Sequence, residues 1–122
     1  MIWLDTPAAL TAFLQKHADA RLIAMDTEFI RERTYYPQLC LVQLADEHQL
    51  VVVDALAVPD LGPLDALLAD TSVLKVLHAA RQDLEIFALR MGVVPAPVFD
   101  TQIAASLLGH GEQAGYAAVV HK

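Results

Sequence analysis

Apolar residues recur along this chain in distinct rhythms, and each rhythm predicts a different element. Leu10, Phe13 and Leu14 fall at helical spacing within Thr6–Ala18, with Thr6-Pro7 as the start of that helix. Leu22-Ile23-Ala24-Met25 is an uninterrupted apolar run, the pattern of a buried central strand, and it leads directly into Asp26-Thr27-Glu28-Phe29. Leu39–Leu44 and Gln49–Val53 read as two further strands, joined by a turn at Ala45-Asp46-Glu47-His48. Gly62-Pro63 opens a short helix over Leu64–Ala69, and Val73–Leu77 is another strand. Ala79–Met91 is a second strong helix that closes at Gly92. Its expected apolar stripe is Ala80, Leu84, Phe87, Ala88 and Met91. Val98-Phe99 makes a last short strand, and Thr101–Leu108 a helix stopped by Gly109. Three strands in succession, then strands alternating with helices, predict an α/β fold. The sheet is expected to be mixed, an antiparallel meander continued by parallel strands and flanked by helices.

Composition narrows this picture. With 122 residues, 56% of them hydrophobic and 19% charged, the chain suffices for one domain with a real core. Mean hydropathy is +0.42, yet no apolar run approaches the roughly 18–20 residues that span a bilayer. Met1-Ile2-Trp3-Leu4-Asp5 lacks the basic start and apolar core of a signal peptide, so the expectation is a cytoplasmic protein with no membrane partner. Cys40 is the single cysteine and sits within Leu39-Cys40-Leu41-Val42, which predicts a buried reduced thiol. A net charge of −7 argues against a nucleic-acid binder that works through a broad basic face. It is compatible with a nuclease whose acids hold cations. Arg31, Arg33, Tyr35 and Tyr36 cluster after the first acidic segment, and Lys75 and Arg81 flank the second; each cation taken alone reads as a solvated charge.

Several positions can carry chemistry. Asp26 and Glu28, at i and i+2, point to one face of a strand, so two carboxylates project together from an apolar element. Such anions oppose each other's ionisation, and Mg²⁺ or Mn²⁺ is a natural compensation because hard cations take oxygen ligands. A solvated strand-end turn is the plainer alternative. Asp83 borders the apolar stripe in the first turn of its helix, where it either complements the helix dipole or reaches the sheet near Asp26 and Glu28. His78 stands at a strand-to-helix junction, and Asp100 before Thr101 has the position of a helix N-cap. Asp54 ends a strand as a turn residue. Gln43 is a polar residue within Leu41-Val42-Gln43-Leu44 and needs a partner if buried.

These segments resemble a known family. Met25-Asp26-Thr27-Glu28-Phe29 is similar to the first motif of ribonuclease D-type 3′→5′ exonucleases, within the group whose active sites hold four acidic residues. Leu39–Leu44 resembles the strand that follows it, and Lys75–Leu84 the second motif. Phe99-Asp100-Thr101-Gln102-Ile103-Ala104-Ala105 is similar to the stretch leading toward the third motif. The resemblance covers nearly the whole chain in matching order. It implies a ribonuclease H-like fold and hydrolysis of RNA from a free 3′ end to nucleoside monophosphates. It also implies two Mg²⁺ or Mn²⁺ ions about 4 Å apart, and tRNA or small structured RNA precursors as substrates. Asp26, Glu28 and Asp83 match three of the four metal-binding acids, and Thr27, Phe29, Gln43 and His78 fall where the substrate would lie, with Asp100 expected behind them. The fourth acid of the family follows a tyrosine by four residues; here Tyr116 is followed at that distance by Val120. The expectation is therefore a partial catalytic domain, without its third motif or the later helical RNA-binding domains, and weak or inactive alone. Two other readings stay open: a non-catalytic ribonuclease H-like module that binds nucleic acid or protein, and a phosphotransfer enzyme with Asp26 as nucleophile.

Overall fold

A computed structural model describes residues 1–17, 19–30 and 37–109. In chain order the elements are β1 (Ile2–Leu4), α1 (Pro7–Lys16), β2 (Leu22–Ile30), β3 (Gln38–Ala45), β4 (Leu50–Asp54), α2 (Gly62–Ala69), β5 (Leu74–Leu77), α3 (Arg81–Met91), β6 (Val98–Asp100) and α4 (Thr101–Leu107). One six-stranded sheet has the order β1-β4-β3-β2-β5-β6. The expected meander is β2-β3-β4, antiparallel throughout, and β5 and β6 continue it in parallel. β1 was not expected. It adds a parallel edge to β4, pairing Ile2, Trp3 and Leu4 with Val51, Val52 and Val53. A three-residue strand is too short to show an alternation, which is why the pattern misses it.

The alternation along β2 divides the sheet into two unlike faces. Ile23 and Met25 point inward, where they meet Val42, Leu44, Val51 and Val53 of the neighbouring strands. Leu10 and Phe13 of α1, Leu64 and Leu68 of α2, and Ile86 and Phe87 of α3 complete this core. Burying a side chain of this size contributes about 1.5–3 kcal/mol, so this one layer carries the fold. Ala24, Asp26 and Glu28 take the opposite face, in register with Ala45, Gln43 and Leu41.

Local chemistry fixes the ends of the helices. The Thr6 side chain accepts a hydrogen bond from Ala9 N at the start of α1, and Gly92 ends α3 in the left-handed region at φ 71°. His17 Nδ1 lies 2.5 Å from Asp46 Oδ2, tying the end of α1 to the β3–β4 turn. The Asp46 carboxyl is held below its usual range, first by the backbone N–H of His48. Asp54 serves as the expected turn residue, accepting from Leu56 N and Ala57 N.

Three expectations need correction. The inward stripe of α3 is Asp83, Ile86 and Phe87, whereas Ala88 is exposed. The helix is rotated by about one residue from the expected stripe, so Asp83 lies inside it and not at its border. Lys75 is no solvated charge: it is fully buried, and its Nζ donates to Asp70 O at 2.5 Å and Ala96 O at 2.9 Å. Arg81 does match the solvated reading, 92% exposed and 3.6 Å from Glu85 one turn on. Cys40 is half-buried at the register shift opposite Glu28 and Phe29, and not enclosed as expected. Arg31, Arg33, Tyr35, Tyr36 and Tyr116 lie outside the described residues.

Candidate active site

β2 carries the acids past the core. Asp26 and Glu28 are exposed on one face, while Thr27 between them is buried at 6% exposure on the other. Thr27 Oγ1 donates a short hydrogen bond to Asp83 Oδ1, linking residues 56 positions apart. This bond explains why α3 turns a carboxylate inward. Burial, first, and the nearby Asp26 charge push the Asp83 carboxyl up, and the Thr27 hydroxyl opposes them. The first two motifs thus meet, with Asp83 behind the strand that bears Asp26 and Glu28.

On the open face, Asp26, Gln43, His78 and Thr101 line a cavity of about 540 Å³, floored by Ala24, Ala45 and Val76. Gln43 pairs across the strands with Asp26. His78 Nδ1 is 2.8 Å from Thr101 Oγ1, which also reaches Leu77 O at 3.3 Å. Of the residues expected near substrate, the structure brings Gln43 and His78 to this cavity. Thr27 is turned away from it and spends its hydroxyl on Asp83. Phe29 packs against the hydrophobic core.

Asp100 is the expected N-cap of α4, accepting from Gln102 N and Ile103 N. It also accepts from Ala79 N at 3.0 Å and Ala80 N at 2.8 Å, in the turn just before α3. Burial raises its pKa, but these backbone donors outweigh that and hold the carboxyl below its usual range. Sequence reasoning missed Thr101 and Ala79 as members of this region. The adjacent Asp100-Thr101 pair at a strand-to-helix junction was the available signal.

The donor set here is all carboxylate oxygen, the chemistry that hard divalent cations prefer. Among the described residues no Lys or Arg pairs with Asp26, Glu28 or Asp83. Nor, among the described residues, are three or more His, Cys, Asp or Glu side chains gathered so as to hold a metal ion by themselves. What the described residues do bring together is a pair of carboxylates, Asp26 and Asp83, close enough for the charge of the first to act on the second, with Glu28 two residues along the strand.

The site lies toward the carboxyl end of the parallel strands β2 and β5, where α/β sheets place ligands. A mixed six-stranded sheet with four helices, bearing acids on a central strand and on the helix after its parallel neighbour, places the chain in the α/β class. Within that class, the chain belongs to the 3′-5′ exonuclease family, whose family model matches residues 1–122. It is 49% identical over 120 residues to ribonuclease D of Acidiphilium cryptum, covering 98% of this chain and 31% of that protein. The crystal structure of Escherichia coli RNase D, described as an exoribonuclease involved in structured RNA processing, superposes with a TM-score of 0.93 at 43% identity, covering 98% of this chain and 32% of that one. A Trypanosoma brucei RNase D in complex with RNA U12 gives 0.74 at 27% identity, covering 83% and 37%. The chain thus spans about a third of the length of the relatives it matches. The ribonuclease D resemblance and the mixed-sheet fold expected from sequence both hold.

Proposed function

We propose that this chain supplies the metal-binding half of a 3′→5′ exoribonuclease that removes nucleoside monophosphates from RNA with a free 3′ end. The observation that carries the reading is the buried Asp83 beside the exposed Asp26, with burial and the Asp26 charge both disfavouring the Asp83 anion. Asp26, Glu28 and Asp83 would hold divalent cations, Mg²⁺ or Mn²⁺, two of them in the complete site. Bound there, such ions supply a more acidic water and neutralise charge at the scissile phosphate. The chain's own part is to aim the carboxylates. Thr27 fixes Asp83 through its hydroxyl, and Gln43 and His78 border the cavity in which the terminal nucleotide would sit. The T. brucei relative bound to RNA supports an RNA substrate, and the part that E. coli RNase D plays in structured RNA processing supports structured RNA; tRNA precursors fit that class.

No acid follows Tyr116 at the family's spacing in these 122 residues. We therefore expect weak cleavage by this chain alone and strong cleavage by a chain lengthened to the span of its relatives. The test is release of mononucleotides from 3′-labelled RNA in Mn²⁺ by both forms. Cleavage by the longer form alone, abolished by Asp26→Ala, supports the reading. If neither form cleaves, and RNA binding persists in chelator, the domain is a binding module and these acids lose their roles.

A further inference from the structure

Asp100 does more than cap a helix. One carboxylate gathers four backbone N–H groups from two segments: Oδ1 takes Ala79 at 3.0 Å, Gln102 at 2.8 Å and Ile103 at 3.4 Å, and Oδ2 takes Ala80 at 2.8 Å. The Ala79–Ala80 pair is where β5 turns into α3. Ala79 sits there at φ 53°, the only non-glycine residue among those described with a positive φ. Alanine avoids this left-handed region because its Cβ crowds the following carbonyl. A residue stays there when the surroundings hold it. What holds it is Asp100, with Thr101 as a second tie through His78 Nδ1 and Leu77 O. Ala80 O then accepts the first helical hydrogen bond of α3, from Leu84 N. Asp83 follows three residues after Ala80, so the direction of this turn sets where its carboxylate points.

We propose that Asp100 is a positioning residue for metal binding, holding the strained Ala79 turn so that Asp83 meets Thr27 beside Asp26. This rests on the carboxylate–metal reading above. It separates two jobs of one side chain, since Oδ1 alone suffices to cap α4, whereas the turn needs both oxygens. Asp100→Asn divides them. Asparagine caps helices as well as aspartate, but its amide nitrogen cannot accept from Ala80.

The experiment is Mn²⁺ binding to the purified chain, read from the electron paramagnetic resonance signal of free Mn²⁺, with thermal melting of the same samples. The chain, Asp100→Asn, and Asp100→Asn combined with Ala79→Gly are compared. Asp100→Asn should weaken Mn²⁺ binding roughly tenfold, the scale of losing a residue that orients a metal ligand. Its melting temperature should fall by less than about 5 °C. Glycine adopts positive φ without the alanine penalty, so Ala79→Gly should restore most of the lost affinity. Wild-type affinity in Asp100→Asn, or a loss that tracks melting and is not restored by Ala79→Gly, overturns the proposal and leaves Asp100 as a cap. If the unsubstituted chain binds no Mn²⁺, the carboxylate–metal reading falls first and this inference with it.

Discussion

The two ends of β5 bury charge in opposite ways. At its start, Lys75 lies beside Ile23 of β2 and delivers its ammonium to two backbone carbonyls, Asp70 O and Ala96 O. Past its end, α3 buries Asp83 against Thr27, four residues further along β2, with one hydroxyl donor, backbone N–H groups and the Asp26 carboxylate nearby. Four residues of strand separate the two by roughly 13 Å. The lysine is matched by groups the fold already provides, so it closes the structure. The aspartate keeps a burial penalty that its donors among the described residues only oppose, and in the function proposed above a cation would relieve it. Burial of an ionic group is thus no guide to its role. What surrounds it decides.

Removing Lys75 tests the structural end most severely. Lys75→Ala leaves a cavity and two carbonyls without a donor, and should cost about 3 kcal/mol in urea unfolding. A loss under 1 kcal/mol would mean that water replaces the ammonium easily and the contrast fails. At the other end, Mn²⁺ at a hundredfold excess over its dissociation constant should stabilise the chain by about 2.7 kcal/mol. Asp83→Asn should abolish that gain while raising metal-free stability by about 1 kcal/mol, because a site kept for binding is held at the expense of stability. Equal stabilisation of both forms by Mn²⁺ would remove Asp83 from the site. Thr27→Val keeps the shape of the side chain and deletes the hydroxyl, leaving Asp83 with backbone donors only. It should cost about 1–2 kcal/mol at neutral pH and little in acid, where the carboxyl is protonated.

The smallest effect is in the pH dependence of melting. Burial, first, and Asp26 hold Asp83 above its ordinary 3.8. Its share of stability is therefore full in acid and lost as pH climbs from 3.8 through the raised folded value. Burial holds Lys75 below its ordinary 10.5, with Asp70 opposing. Its share runs the other way, and stability recovers as pH rises from the lowered value toward 10.5. Asp83→Asn should flatten the acid slope and leave the alkaline one. Two slopes that vanish together would show that the ends are not independent.

Sequence pattern made much of this visible. The meander, the three main helices and the meeting of the Asp26 and Asp83 segments were legible because each rests on a local rhythm or a local motif. Lys75 was not. Within Leu74-Lys75-Val76-Leu77 a single charge reads as a solvent-facing position, and nothing local tells that Ala96, 21 residues on, offers it a carbonyl. The rotation of α3 was hidden for a related reason. Its stripe was read by hydrophobicity, but the position facing Thr27 is filled by an acid, and the partner that makes burial tolerable is 56 residues away. The register shift between Glu28 and Phe29 has no glycine to announce it. Long-range partners of polar groups were the common blind spot, and they are also what makes the candidate site.

Among the described residues the sheet ends on both sides in strands of three residues, β1 with Ile2, Trp3 and Leu4 and β6 with Val98, Phe99 and Asp100. An incoming chain that tried to lengthen the sheet would find only three residues of open ladder on either margin. Trp3 and Phe99 are about half exposed there, so the apolar invitation exists. Short margins are one of the means by which proteins blunt edge-to-edge growth. For a chain with a mean hydropathy of +0.42, brevity at the borders is a brake on self-association, and lengthening either border by even a few β-forming residues would release it.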